Sequence, residues 1–156
     1  MNQELKIDET VISFVTDIVK KNMKNNMKVY ISGKIGEEVI SEPTRQKFAK
    51  AEEVLKAKGY DVFNPCREEW DRALRDGYRY EEFPDTKFPA NTIPFYSYAL
   101  LRDQMVLSTC EAICLLPDWK DSPGVKAELA FAHAIGLKVY ELNLYGSLAA
   151  WAEEGV

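Results

Sequence analysis

Apolar positions recur along this chain with two periods, and the switches between them mark out strands and helices. Ile7, Val11, Phe14, Val15, Ile18 and Val19 repeat at helical spacing on a polar background, predicting an amphipathic helix over residues 5–24. The Asn- and Lys-rich segment from Lys20 to Lys28 ends it. Such a helix reads as an appendage that covers a sheet edge or a partner subunit, and its mixed charge speaks against a membrane-surface role. Lys28-Val-Tyr-Ile-Ser-Gly33 is then a short strand of β-branched and aromatic residues. A helix over residues 43–58 follows, with Phe48, Ala51, Val54 and Leu55 as its apolar stripe and Gly59 as its stop. Tyr60 to Phe63 is a second strand, closed by Asn64-Pro65. Strand, helix and strand at this spacing predict a right-handed parallel crossover.

Residues 66–96 break the pattern: Glu68 to Arg75 suit one short helix, and an aromatic, proline-bearing stretch follows with Tyr78, Tyr80, Phe83, Phe88 and Phe95. An irregular insertion of this length inside a domain is usually functional or disordered, and the aromatic content favours order. Regular structure resumes with a helix over 97–109, a strand over 111–116 and a helix over 122–136 capped by Gly136. A strand from Leu137 to Glu141 and a terminal helix over 146–154 complete the chain. The expected fold is α/β, a three-layer flavodoxin- or Rossmann-like sandwich on a parallel sheet of four or five strands. It comprises an N-terminal helical extension, residues 1–27, and a single domain, residues 28–156, interrupted at 66–96.

Composition narrows the function classes. At 156 residues the chain suits one domain, with enough length to bury roughly two thirds of its unfolded surface. A net charge of −5 argues against general affinity for nucleic-acid polymers, while a local phosphate pocket remains open because helix N-termini bind phosphate without net positive charge. The three cysteines, Cys66, Cys110 and Cys114, do not make an even disulfide set and read as free thiols in a reducing compartment. His133 is the single histidine, and Cys110 and Cys114 have poor ligand spacing, so neither a metal nor another cofactor is expected. With no apolar run near the ~20 residues of a membrane span and no signal-peptide features, the expected location is the cytoplasm.

The chemistry concentrates at two carboxylates. Glu128 sits in the second turn of an almost wholly apolar helix, with Gly124, Val125, Phe131 and Ala132 one turn away. A carboxylate there is costly unless it is paired or used. Asp103 repeats the pattern among Ala99, Leu100, Val106 and Leu107, its blander reading being an ion pair with Arg102 or Arg45. Ligands of such folds bind beyond the carboxyl ends of the strands, where Tyr30-Ile-Ser-Gly33-Lys34-Ile35-Gly36, Asn64-Pro65 and Asp118-Trp119 through Glu128 converge. Ser122 with the amides of Gly124 and Val125 forms either an anion-binding helix start or a plain N-cap. Trp119 either stacks on a base or fills the core. His133 lies about 140° round the helix from Glu128 and does not share its face. Two carboxylates aimed at one sheet edge are parts for displacement at a sugar anomeric carbon.

Together these residues resemble the nucleoside 2-deoxyribosyltransferase superfamily, which includes nucleotide N-glycosidases acting on 5′-monophosphates. The matching elements are Tyr30-x-x-Gly33, Arg102-Asp103, the polar Glu111 opening the next strand, and Ser122-x-Gly124-x-x-x-Glu128-x-x-x-Ala132, within residues 28–142. The Leu116-Pro-x-Trp119-x-x-Ser122-x-Gly124 form is closest to a branch of small bacterial and phage proteins. The resemblance implies that Glu128 is a nucleophile forming a glycosyl-enzyme, that Asp103 assists base departure or positions the sugar, and that Tyr30 orients the carboxylate. The candidate substrate site read from the sheet edge comprises Gly33, Lys34, Ile35, Asn64, Trp119, Ser122 and Gly124, and the resemblance implies a 5′-phosphate at Ser122 and the first loop. It also implies a homodimer or larger homo-oligomer acting on a small nucleoside or nucleotide. Lys34 stands where the hydrolases carry a small polar residue, and Glu111 replaces their aspartate. The competing readings are a nucleotide-binding or sensor module with the same pocket, and a structural or host-interaction protein using the aromatic insertion.

Overall fold

The computed structural model describes residues 8–25, 27–83 and 86–150, with only the backbone for 18–25. Five strands form one sheet in the order β2-β1-β3-β4-β5. They are β1 (Lys28–Ser32), β2 (Asp61–Phe63), β3 (Ala112–Leu115), β4 (Lys138–Leu142) and β5 (Leu148–Ala150). The first four pair in parallel, with Tyr30 opposite Phe63 on one side and Ile113 on the other, while β5 runs antiparallel to β4. The helices are α1 (Glu9–Asn25), α2 (Glu42–Ala57), α3 (Glu68–Tyr80), α4 (Phe95–Leu107) and α5 (Pro123–Ala134). This is the expected α/β sandwich around a mostly parallel sheet.

Burial on both faces explains the apolar character of the central strands. Val29, Ile31, Ala112 and Cys114 pack against Phe48, Ala51 and Leu55 of α2. Their alternates Tyr30, Ile113 and Leu115 pack against Leu107 of α4 and Val125, Leu129 and Ala132 of α5. Period-2 alternation thereby commits Tyr30 and Ser32 to the α4–α5 face. A third, smaller cluster of Leu74, Ala90 and Tyr98, with Trp70, Tyr78 and Phe95 around it, ties α3 to α4.

Three expectations change. The interruption at 66–96 holds a longer helix than Glu68 to Arg75, because Trp70, Leu74 and Gly77 fall on one face and α3 runs on to Tyr80. The terminal helix expected over 146–154 is not formed at its start: residues 148–150 are strand β5, and 151–154 lie outside the described residues. A turn decides this, in which Asn143 Oδ1 accepts from the amides of Tyr145 and Ser147 and Gly146 takes φ 80°. That geometry folds Leu148 back onto Leu142, overriding the helix preference of Ala149 and Ala150. Finally, every side chain of residues 8–17 is exposed, so this part of α1 does not cover the sheet, and residues 5–7 lie outside the described residues.

Candidate active site

The strand order reverses between β1 and β3, and the crevice beyond their carboxyl ends is where such sheets bind ligands. A cavity of about 660 Å³ lies at this point. Asp103 of α4 and Glu128 of α5 reach it from adjacent helices, each more than nine-tenths buried. The loop Gly33–Ile35 and the start of α5, Ser122 to Gly124, form one rim. Leu74 and Arg75 of α3 face Phe95 and Tyr96 of α4 around the other.

Each carboxyl has a polar partner. Ser32 Oγ donates to Glu128 Oε2 at 3.1 Å. The indole Nε1–H of Trp70 donates to Asp103 Oδ1 at 2.8 Å. Tyr30 is fully buried, and its hydroxyl completes no hydrogen bond of good geometry, yet it lies near enough to Glu128 for each group to shift the other. Burial pushes Asp103 up to about 7, partly offset by the Trp70 hydrogen bond. Burial also pushes Glu128 up, to about 8, and the neighbouring Asp103 charge adds to the rise. The same surroundings hold the Tyr30 hydroxyl well above the usual phenol range. Because the Asp103 charge raises Glu128, the two titrate as a pair, and near neutrality this pair retains a proton.

The rim is held by a contact between residues far apart in sequence. Asp118 accepts the Lys34 amide at 3.0 Å through Oδ1 and meets Lys47 Nζ at 2.6 Å through Oδ2. Lys47 Nζ also donates to the Lys34 carbonyl at 2.6 Å. Gly33 follows directly on β1 because a Cβ there would meet Leu116 Cδ1 at 2.6 Å. On the opposite rim, Arg75 lies 4.6 Å over the Phe95 ring and donates to the Glu38 carbonyl at 2.6 Å. At the start of α5, Ser122 Oγ accepts the Val125 amide at 3.2 Å. The hydroxyl is therefore an N-cap, and one of the two amides expected for an anion is already used.

Seven of the expected site residues line the cavity: Glu128, Asp103, Gly33, Lys34, Ile35, Ser122 and Gly124. Tyr30 stands behind them, in the sheet. Asn64 and Trp119 lie elsewhere. Asn64 Oδ1 accepts the Cys66 amide at 2.8 Å, turning the chain from β2 toward α3, and the residue borders a separate hollow with Trp70. Trp119 is half-buried, packs against the Tyr30–Leu107 cluster and donates its indole N–H to Glu141 Oε1 at 3.1 Å. His133 is exposed. Ser32 and Trp70 were not among the expected residues. Alternation from Tyr30 points to Ser32, whereas the Trp70–Asp103 contact spans 33 positions and has no local signal. Among the described residues, no group of three or more His, Cys, Asp and Glu side chains is arranged to hold a metal ion. No described helix is long and apolar enough to cross a membrane.

The family model for a domain of unknown function, DUF4406, matches residues 27–141, which include the four parallel strands up to Glu141, α2 to α5 and every cavity residue. Neither the curated proteins nor the solved structures include a match to this chain.

Proposed function

This chain belongs to the DUF4406 family, and we propose that it cleaves or exchanges the N-glycosidic bond of a nucleoside or a nucleoside 5′-monophosphate. The observation that carries this reading is the proton-retaining pair of Asp103 and Glu128 in one buried cavity at the β1–β3 crevice. It agrees with the resemblance to the nucleoside 2-deoxyribosyltransferase superfamily. The shared proton rests mainly on Glu128, the more strongly raised of the two, and the reaction runs from the state in which it has passed to Asp103: protonated Asp103 gives its proton to the departing base, the C1′–N bond breaks with its electron pair leaving on the base, and ionised Glu128 forms a bond to C1′. Water, or a second base, then attacks C1′ and releases the carboxylate, with its proton returning to Asp103. Ser32 donates to the nucleophilic carboxylate and favours its ionised form. Gly124, at the start of α5, and Lys34 offer donors to a phosphate, whereas Glu37, Glu38, Asp71 and Asp121 on the same cavity oppose one. Both nucleosides and monophosphates therefore belong in the substrate panel.

The proposal includes a cytoplasmic location, supported by three buried, unpaired cysteines, and assembly as a homodimer or larger homo-oligomer. Exposed Val11, Ile12, Phe14 and Val15 on α1 and Leu101 and Met105 on α4 support the assembly. The decisive experiment incubates the full chain with nucleosides and their 5′-monophosphates and follows free base by chromatography. Wild type is expected to release base from at least one, and Glu128→Gln to lose at least about 10²-fold. Equal release by both proteins overturns the catalytic assignment. Ligand-induced thermal stabilisation without any base release would instead support a binding module.

A further inference from the structure

We propose that Trp70 is a positioning residue for Asp103: its indole N–H occupies Oδ1 and leaves Oδ2 as the oxygen that carries the proton for the departing base. This assignment of a role to the inserted helix α3 rests on the reaction proposed above, while the contact beneath it does not. An indole nitrogen is a donor only. At 2.8 Å from Oδ1 it disfavours a proton on that oxygen, so a protonated Asp103 holds its hydrogen on Oδ2. A free carboxyl in a cavity of about 660 Å³ has no such preference and rotates between equivalent states.

The indole is itself held by an aromatic neighbour. Its ring meets Phe63 edge-on at 5.3 Å, and Phe63 stacks on Tyr30 at 5.4 Å. One aromatic row thus runs from the partner of Asp103 to the residue beside Glu128. Helix α3 comes close to α4 at Gly77, where a Cβ would fall 2.2 Å from the Tyr98 hydroxyl; the missing side chain lets the two helices approach. Trp70 lies two helical turns before Gly77, on the same face. The titratable groups around Asp103 are Glu128 on α5, Tyr30 on β1 and Cys66 at the β2–α3 turn, with Asp71 and Arg75 of α3 on the same cavity.

The test is an indole ¹⁵N–¹H titration of the full chain from pH 5 to 9, which needs no substrate. The chain has three tryptophans, and Trp70→Phe assigns the resonance in question. The Trp70 signal is expected to move with a midpoint well above the ordinary carboxylate range, and to stop moving in Asp103→Asn. If Trp70→Phe does not fold, the loss of titration in Asp103→Asn identifies the signal. A Trp70 resonance that stays flat, or that titrates unchanged in Asp103→Asn, overturns the proposal. In the base-release assay, Trp70→Phe is expected to lower kcat by about 10- to 10²-fold with KM within about twofold, and to move the pH profile upward. That direction follows because the lost hydrogen bond favoured the ionised form. A kcat unchanged by Trp70→Phe also overturns the positioning role. A titrating indole in a protein that releases base from no substrate counts against the glycosidase reading alone and leaves the Trp70–Asp103 coupling in place.

Discussion

Asp103 and Glu128 cost this fold stability, and the sign of that cost is testable. Both carboxyls have folded values raised above their unfolded ones, to about 7 and about 8. Their protonated forms suit the fold, so their favourable contribution is complete below the unfolded values near 4. It is lost as pH rises through the folded values. Glu128→Gln and Asp103→Asn are therefore each expected to raise the unfolding free energy at pH 8.5 by about 1–3 kcal/mol, seen as a higher Tm, and by much less at pH 5. Thermal melts at the two pH values check this, and a variant less stable than wild type at pH 8.5 contradicts it. The rate should be bell-shaped, with its maximum near the two values, since the reaction needs one ionised and one protonated carboxyl. Gly33→Ala tests a different constraint. The new methyl would press on fully buried Leu116, and a loss of about 1–3 kcal/mol is expected in denaturant melts. These positions were visible in the sequence because a carboxylate among apolar neighbours, or a glycine ending a strand, is locally anomalous. Trp70 was not visible, because an aromatic residue on an amphipathic helix is ordinary until its distant partner is known.

At the scale of elements, the loop after β1 owes its shape to α2 and to the turn after β3. Asp118 and Lys47 clamp the Lys34 peptide from both sides. Both side chains are about one third exposed, so the ion pair adds little to global stability. Lys47→Ala and Asp118→Asn should leave Tm within a few degrees yet raise KM several-fold with a smaller change in kcat, since they loosen a binding rim and not the reacting groups. Unchanged KM values would remove the loop from the binding site. Element types were legible where apolar periodicity ran for three or more turns, as in α2 and α5, or where β-branched residues met glycine, as in β1. The misreadings came from competition between local and distant preferences. Tyr78 and Tyr80 looked like an irregular aromatic stretch, but Leu74 and Tyr98 supply a partner surface that prolongs α3. Leu148 to Ala150 had helix-forming composition, and the Asn143–Ser147 turn bound them to β4 instead.

For the whole molecule, the strand order places the crevice between β1 and β3, so α4 and α5 deliver their carboxyls to it from the same face of the sheet. Alternating strands and helices made the sandwich readable, but the order β2-β1-β3-β4-β5 depends on which edges pair, and that is written in contacts spread over the chain. The N-terminal helix stands apart from this logic. Residues 8–17 bury no side chain, and the family match begins at residue 27. If α1 serves assembly, its removal should separate folding from association. A chain starting at Met27 is expected to keep a cooperative melt within a few degrees of full length, because the sheet and its three apolar clusters lie beyond it. Light scattering should give the full chain as a multiple of 17.8 kDa and the truncated one as a smaller assembly. The combination to look for is lost association with retained melting. A truncated chain that assembles as before would move the interface to exposed Leu101 and Met105 on α4, on the opposite face of that helix from Ala99 and Asp103 at the cavity.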